Sequence, residues 1–263
     1  MHPAVTPSLR PRHQPPAPLP FPMRSSAAAH AIASPCATCR LRDICLPAGV
    51  HEEQLSAFDR LTLSRRKVAA GDCLYRQGDP FLFLYAVHSG SFKATLTRRD
   101  GIDQTTNLFL GGDILGLDGA ANGAHASNAV ALEDAEVCAI PYDQLTRLTA
   151  GNSATQHVIG RLMAREIVRD QRMMLMLGTM SAEQRVAGFL LNVARRMKAR
   201  GYSGTEFHLR MTRAEIGSYL ALKLETVSRT FRSLQDRRLV EVNQKHVRIC
   251  DPEGLARLIG LNE

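Results

Sequence analysis

The chain has no apolar run that approaches the roughly 20 residues needed for a membrane-spanning helix. Its first 35 residues hold 9 of the 13 prolines, which interrupt the apolar stretches, so the N-terminus lacks the continuous apolar region of a secretory signal. We therefore expect a soluble, cytoplasmic protein. In that reducing compartment, cysteines spaced like ligands indicate a metal-binding or reactive site and argue against disulfides.

The sequence also lacks the marks of an enzyme. It contains no recognisable nucleophile–base pair, no Walker-type phosphate loop and no dinucleotide-binding fingerprint. The histidines are scattered, and we interpret five of them as surface or packing residues: His88, His125, His157, His208 and His246. The sequence therefore predicts a protein that is not an enzyme.

Positive charge is concentrated in one part of the chain. The net charge is +8, and residues 181–250 carry 14 basic and 6 acidic side chains, whereas residues 51–180 carry 13 and 15. A basic field of this kind is typical of a domain that binds a polyanion, although a solvated basic surface would look the same. The motif found in this segment, described below, favours binding to nucleic acid.

The 263 residues are enough for two domains, each with its own core. Composition predicts a disordered proline-rich tail over residues 1–35. Short strand patterns separated by glycine turns continue to Tyr142 and predict a small barrel or roll. We place a cysteine loop and this roll in residues 36–151, a long helix in residues 152–180, and a C-terminal domain in residues 181–263.

Residues 153–178 have helical periodicity. An apolar seam with 4-3-4-3 spacing is typical of a two-stranded coiled coil and predicts a homodimer; it contains Met163, Ile167, Asp170, Met174 and Leu177. A second apolar set, Leu162, Met173 and Met176, is expected to pack on the roll. Asp170 would face its own copy across a twofold axis, and this like-charge contact predicts a weak dimer that a second input can switch.

The C-terminal domain contains a helix-turn-helix pattern. Thr212 and Glu215 form a capping box, and the helix that they begin is expected to run to about residue 220. A second helix is predicted from about residue 224 to 236, with Val227, Phe231 and Leu234 facing inward. The opposite face can enter the major groove of DNA; it carries Glu225, Ser228, Arg229 and Arg232. A β-hairpin wing is predicted after it, with residues 243–245 as its turn.

Cys36, Cys39 and Cys45 form C-x2-C-x5-C, and Cys138 follows much later in the chain. Four thiolates suit an iron–sulfur cluster, and they also suit tetrahedral zinc. The two-plus-two pairing common in zinc sites is absent, which favours the cluster. The two remaining cysteines, Cys73 and Cys250, fall within predicted strands, and we interpret them as buried small hydrophobic residues.

Together these patterns resemble the FNR-type (fumarate and nitrate reductase regulator) oxygen sensors of the CRP/FNR superfamily. The resemblance rests on the cysteine set, the helix segment 161–171, and the E-x2-S-R sequence from Glu225 to Arg229. It implies an α+β fold: an N-terminal β-roll like a cyclic-nucleotide-binding domain, a long dimerisation helix, and a C-terminal winged helix-turn-helix.

The resemblance also implies a function. In that family four cysteines, matching Cys36, Cys39, Cys45 and Cys138, hold a 4Fe–4S cluster when oxygen is absent. The homodimer then binds a palindrome of the type TTGAT-N4-ATCAA, and oxygen disassembles the cluster and releases the DNA. The matching base readers are Glu225, Ser228 and Arg229, and the matching switchable dimer positions are Ile167 and Asp170. RNA polymerase is the implied partner of the turn at residues 98–103.

Four positions depart from the family pattern. Arg40 and Ile44 adjoin the cysteines, so the shielding of the cluster is expected to differ from that of relatives. Lys223 stands where a capping Ser or Thr is preferred, and its amine can reach a phosphate. Ala221 replaces a glycine that is common in the turn. We expect these changes to tune the function rather than to alter it.

Two other functions are weighed against this one. Members of the superfamily that bind cyclic AMP use a glutamate and an Arg-Ser pair, but this chain has Leu117 and Ala126-Ser127 at those positions. Without an arginine for the phosphate, nucleotide binding is disfavoured. An electron carrier would use the cluster and would have no need for the basic C-terminal domain.

Overall fold

The structure is a computed structural model, and it describes residues 36–50, 58, 61, 64–98, 101–150 and 156–260. The tail predicted to be disordered, residues 1–35, lies outside the described residues, as does part of the predicted turn at residues 98–103. None of the helices in the described ranges combines the length and apolar character needed to cross a membrane.

Two antiparallel four-stranded sheets form the roll. Their strands are β1 (Ser64–Val68), β2 (Cys73–Tyr75), β3 (Phe83–Ser89), β4 (Ser91–Thr97), β5 (Asp103–Leu110), β6 (Ile114–Leu115), β7 (Asn128–Ala131) and β8 (Ala135–Pro141). The orders are β1-β8-β3-β6 and β2-β7-β4-β5. Side chains from both sheets meet in one apolar core, in which Phe92 and Val137 are fully buried. The predicted roll is confirmed.

Gly90 makes the tight connection between β3 and β4 possible. Its φ of 80° lies in the left-handed region, and a Cβ at this position would lie 2.7 Å from the Cβ of Ala135. Only glycine tolerates this φ easily and has no Cβ to clash with Ala135.

The remaining helices are α1 (Tyr142–Ala150), α2 (His157–Thr179), α3 (Ala182–Lys198), α4 (Arg213–Leu220), α5 (Leu224–Asp236) and α6 (Pro252–Leu258). A small sheet of order β10-β11-β9 completes the C-terminal domain, with β9 (Glu206–His208), β10 (Val240–Asn243) and β11 (His246–Ile249). The two helices of the predicted helix-turn-helix are confirmed as α4 and α5. The wing differs in detail: Asn243 belongs to β10, so the turn is Gln244-Lys245, and Gln244 adopts a φ of 54°.

Helix α2 contacts both halves of the molecule. Val158 and Leu162, near its beginning, are buried in an apolar cluster with Leu84 and Ile140 of the roll. The expectation that Met173 and Met176 pack on the roll is wrong. They pack against the core of the C-terminal domain, and the only roll residues in the buried part of that core are Leu108 and Leu110 of β5, among the described residues. At 1.5 Å per residue, α2 extends past the roll before these methionines are reached.

The C-terminal domain is docked on the roll through charged and polar contacts. Asp113, just after β5, forms an ion pair with Arg196 of α3, and its other oxygen lies 2.9 Å from Nη2 of Arg200. Lys93 Nζ lies 2.6 Å from Oε1 of Glu215 in α4. The backbone N–H of Thr105 donates to Oγ of Ser218 at 2.8 Å. These bonds tie both helices to the β4–β5 hairpin.

Asp113 is the most constrained of these groups. Burial alone would raise the pKa of its carboxyl, but the guanidinium groups of Arg196, Arg200 and Arg169 outweigh burial and hold that pKa below its usual value. The side chain of Arg200 is only 6% exposed. The carboxylate is therefore required as the counter-ion of a nearly buried guanidinium.

Replacing Asp113 with asparagine would leave Arg196 and Arg200 without this counter-ion. We expect the free energy of unfolding at neutral pH to fall by about 3 kcal/mol, as for removal of one partner of a buried ion pair. Because the folded pKa of Asp113 is depressed, its contribution is present above the unfolded pKa and is lost as the pH falls through the folded pKa. The gap between parent and variant should therefore shrink in acid, as measured by urea unfolding at several pH values.

The matched control is Asp236→Asn, at an exposed position in α5 where the described residues provide no ion pair. We expect that variant to unfold within about 0.5 kcal/mol of the parent. If D113N and D236N proved equally stable, the assigned role of Asp113 would be refuted.

Candidate functional site

The cysteine loop, residues 36–50, is a succession of tight turns. Its backbone bonds include Cys39 N–H to the carbonyl of Cys36 (3.2 Å) and Cys45 N–H to the carbonyl of Leu41 (2.9 Å). Buried Leu41 and Leu46 hold the loop against the roll. These turns bring three cysteines together on a short segment.

Cys138 lies on β8, in the middle of the first sheet, opposite Arg65 of β1 and Ala86 of β3. Successive side chains of a strand point to opposite faces. Val137 and Ala139 accordingly enter the core between the sheets, whereas Cys138 and Ile140 join the outer cluster beneath the cysteine loop. The strand register therefore presents the Cys138 thiol to the loop.

All four predicted ligands line one cavity of about 40 Å³; they are Cys36, Cys39, Cys45 and Cys138. The cavity is mostly apolar, and charged side chains are contributed by Arg42 and Arg65. All six described cysteines are free thiols. No three His, Cys, Asp or Glu side chains of the described residues are placed to hold a single metal ion. The four thiols thus surround a space without converging on one point.

The electrostatics of the cavity disfavour bare thiolates. Burial, with a smaller effect from the three neighbouring cysteines, raises the pKa of Cys45 to about 12. Burial also raises the pKa of Cys138, and Arg65 partly opposes that rise. Deprotonation of these thiols therefore needs a positive partner in the cavity, which is the usual linkage between metal binding and proton release.

Cys73 and Cys250 are not brought to this cavity. The interpretation of both as buried small residues is wrong: Cys250 is exposed just beyond the end of β11, and Cys73 on β2 is only half-buried. The strand pattern could not reveal that β2 is an edge strand or that β11 ends before Cys250.

The cysteine cavity is in contact with α2. Cys36, Cys45 and Cys138 pack against the apolar cluster that contains Val158 and Leu162. Arg161 of the same helix donates from Nη1 to the carbonyl of Ala48 at 2.8 Å. The cysteine loop and the beginning of α2 therefore share one packed cluster and one hydrogen bond.

The loop also contacts the route to the C-terminal domain. Ile44 lies against Gly112, where a Cβ would be 2.8 Å from Cγ1 of Ile44, and the φ of Gly112 is 86°. Gly112 immediately precedes Asp113. Arg40, which follows the second cysteine, donates to the hydroxyl of Tyr202 at 3.1 Å and lies 5.9 Å from the centre of its ring. Neither contact had a signature in the sequence.

The position expected for a nucleotide phosphate is occupied by a side chain. The Asp118 carboxylate accepts bonds from the backbone N–H of Ala126 (2.9 Å), from the backbone N–H of Ser127 (2.9 Å) and from the Ser127 hydroxyl (2.8 Å). The adjoining cavity of about 560 Å³ is lined by Glu166 and Asp170 and by no Lys or Arg among the described residues. An anionic nucleotide is therefore disfavoured here, in agreement with the sequence.

The helix-turn-helix is built as its sequence predicts. The Thr212 hydroxyl accepts from the Glu215 N–H (3.2 Å), and Glu215 accepts from the Thr212 N–H (2.6 Å). Ala221 ends α4 with a φ of 53°, a conformation that glycine would adopt more easily. Lys223 begins α5 and makes no side-chain cap bond.

Helix α5 has one buried face and one exposed face. Val227, Phe231 and Leu234 are buried in the core of the C-terminal domain. The side chains predicted to contact DNA are all exposed: Glu225, Ser228, Arg229 and Arg232. Their placement leaves them free to enter a major groove, and their individual base contacts stay predictions.

The seam of α2 is also exposed. Met163, Ile167 and Met174 are 37%, 56% and 65% exposed, and Asp170 is exposed between them. An exposed apolar stripe on one helix face, interrupted here by Asp170, often marks a contact with another protein. It is the surface that the predicted dimer would bury.

Two family descriptions match the sequence. Residues 65–152 match the family described as "Cyclic nucleotide-binding domain", and residues 184–258 match the "Crp-like helix-turn-helix domain". They coincide with the roll and with most of the C-terminal domain.

Relatives match over most of their length. The chain is 44% identical to the "Transcriptional regulatory protein btr" of Bordetella pertussis over 87% of this chain and 94% of that protein. It is 40% identical to the "Transcriptional activator protein Anr" of Pseudomonas protegens (86% and 92%), and 37% identical to the "Fumarate and nitrate reduction regulatory protein" of Yersinia pestis (86% and 90%).

Among solved structures, the fold is similar to that of FixK2 from Bradyrhizobium japonicum. The TM-score is 0.69 at 26% identity, covering 74% of this chain and 96% of that one. Together with the roll, the exposed face of α5 and the relatives above, this similarity shows that the chain belongs to the CRP/FNR family of DNA-binding transcription regulators and is not an enzyme.

Proposed function

We propose that this chain is an oxygen-responsive regulator of anaerobic transcription, in which a 4Fe–4S cluster promotes dimerisation and binding to a TTGAT-N4-ATCAA-type palindrome. Relatives named "Anaerobic regulatory protein" in Pasteurella multocida and Haemophilus influenzae, 39% and 37% identical to this chain, support the proposal. When bound, the cluster supplies the oxygen-reactive iron–sulfur chemistry. Binding of the cluster, pairing of the protomers and contact with DNA depend on the chain's own side chains.

The observation that carries the proposal is the single cavity lined by four thiols. Three come from one short loop and the fourth, Cys138, comes from a strand much later in the chain. Strand register and loop turns, which are independent features of the sequence, place them together. An apolar, partly closed surround of this kind limits the access of water and tunes a metal site.

The arrangement of the cysteines in the sequence favours a cluster over zinc. Three of them lie in C-x2-C-x5-C and the fourth is Cys138, so the two-plus-two pairing common in zinc sites is absent. The same four thiols line one cavity, which a cluster would occupy. Arg65 and Arg42, at the border of this cavity, provide positive charge that stabilises an anionic thiolate–cluster assembly.

The chain's own residues connect the cavity to DNA binding. The cysteine loop packs on Val158 and Leu162, so ordering of the loop fixes the beginning of α2. A fixed α2 presents Met163, Ile167 and Met174 to the partner, while Asp170 keeps the free energy of pairing small. The dimer then places two α5 helices in successive major grooves, with Glu225, Ser228 and Arg229 at the base edges.

The β4–β5 hairpin supplies a surface for RNA polymerase. Leu96, near the end of β4, and Ile102, just before β5, are 42% and 56% exposed. Exposed apolar side chains at a hairpin tip are a common feature of protein contacts. In this proposal the regulator works in the cytoplasm, where its operator and the polymerase are found.

The first prediction concerns the metal ligands. Anaerobically purified parent protein should contain about four iron and four sulfide per chain, and Cys138→Ser should lose most of both together with operator binding. Cys250→Ser is the matched control, since that thiol is exposed and lies outside the cavity. Metal and sulfide assays and a gel shift on the same samples provide the readout. Parent protein without iron and sulfide would disprove the proposal.

The second prediction concerns the base reader Arg229. Arg229→Ala should cost roughly 1–3 kcal/mol at the base pair that Arg229 contacts and should relax the preference there. Lys223→Ala, which removes an expected phosphate contact, should weaken binding to all operators alike. Competition binding with single-base operator variants measures both. An unchanged preference in R229A at every position would rule out the assigned contact.

The third prediction concerns the seam. Asp170→Ala removes the like-charge contact across the twofold axis and should raise the dimer fraction in air. Gln171→Ala, at an exposed position next to it on α2, should behave like the parent. Sedimentation velocity at matched concentrations measures the dimer fraction. Identical dimer fractions for D170A and the parent would remove Asp170 from the switch.

A further inference from the structure

A cleft between α2 and α3 gathers an unusual number of positive charges. Its volume is about 450 Å³, and it is lined by six arginines. Four come from α2 and two from α3: Arg161, Arg165, Arg169, Arg172, Arg195 and Arg196. We call it the arginine cleft.

Only part of the positive charge of the cleft is neutralised by the described residues. Asp113 is the one carboxylate in its described lining and pairs with Arg196 and Arg200, while Arg169 pairs with Glu166 on the same helix. The side chains of Arg165, Arg172 and Arg195 are exposed and form no ion pair or hydrogen bond with any described residue. Guanidinium groups collected in a concave surface raise the local potential and attract anions.

The cleft lies on the side of α2 away from the seam. A helix turns 100° per residue, so Arg161, Arg165 and Arg172 point roughly opposite to Ile167 and Met174. Pairing of two seams would therefore leave the cleft open to solvent. The positive charges serve neither the proposed dimer contact nor the cysteine cavity.

The floor of the cleft is apolar. Half-buried Met173 and Met176 of α2 lie there beside Phe189 and Tyr219, whose rings are 5.9 Å apart and which are themselves buried, at 2% and 9% exposure. A planar group can pack against such a surface, while the arginines hold a phosphate chain in bidentate fashion. The combination suits a small ligand that has both a ring and several negative charges.

We propose that the arginine cleft binds a phosphorylated small molecule of the nucleoside polyphosphate class. The ligand would neutralise Arg165, Arg172 and Arg195 and place its base against Met173 and Met176. This site is separate from the cavity next to Asp118, which is lined by carboxylates. It requires no metal and stands independently of the cluster.

Binding there would affect regulation. Helix α2 carries the seam and α3 belongs to the DNA-binding domain, and the cleft has arginines on both. An anion bound between them would link the two helices. It would shift the equilibrium between different relative positions of α2 and α3 toward the one that it binds more tightly.

The test uses ATP and inorganic triphosphate as probes, in isothermal titrations with the anaerobically purified full chain and no DNA. The variant is Arg165→Gln/Arg172→Gln, at two exposed positions without partners. The matched control is Lys67→Gln/Arg76→Gln, which removes two exposed positive charges from the roll. We expect the double arginine variant to bind both probes at least about tenfold more weakly, with the control unchanged, and affinity to fall as salt is raised.

The outcomes separate the possible sources of the anion. Tighter binding of ATP than of triphosphate would support the nucleoside class, whereas equal binding by the parent would refute a role for the ring. Absence of binding of either probe at millimolar concentration, or equal loss in the control, would overturn the proposal. A gel shift of parent and double variant on operators with short and long flanks is the second measurement. A double variant that keeps its affinity for both probes and loses affinity only for long-flank operators would also overturn the proposal, because the cleft would then contact DNA phosphates.

Discussion

The carboxylate of Asp113 lies between the guanidinium groups of Arg196 and Arg200, and the arrangement of the whole molecule depends on it. It follows β5, so it belongs to the roll, yet Arg196 belongs to α3 and Arg200 to the turn just after that helix. A charge that is partly removed from water has to be paired, which fixes the C-terminal domain against the β4–β5 hairpin. On the other side, Gly112 allows Ile44 of the cysteine loop to approach. The cysteine loop, the roll and the C-terminal domain therefore meet at the adjacent residues Gly112 and Asp113.

The cysteine loop has two physical connections to the rest of the chain. One passes through the apolar cluster to Val158 and Leu162 of α2 and can influence how two seams meet. The other passes through Ile44 and Arg40 to Asp113 and Tyr202, within a single protomer. A regulator with both connections can adjust dimer formation and the orientation of the DNA-binding domain together, because each connection ends on a different helix.

Much of this fold follows from local patterns. The capping box, the inward face of α5 and the glycine-punctuated strands depend on neighbours in sequence, so they were predicted closely. The docking of the two halves was not predictable, because the Asp113, Lys93 and Arg40 contacts join residues far apart in the chain. For the same reason, the packing of Met173 was assigned to the wrong domain. The candidate ligands came from cysteine spacing and a family resemblance, and strand alternation then explains why Cys138 faces the loop.

Asp118 has a consequence for how this family member receives information. Its carboxylate occupies the N–H groups of Ala126 and Ser127 and the Ser127 hydroxyl, and it is a permanent part of the chain. A diffusible messenger would have to displace a group that is covalently attached and already satisfied by three hydrogen bonds. An anionic messenger is thus disfavoured inside the roll, whereas the cysteine loop lies on its outer face.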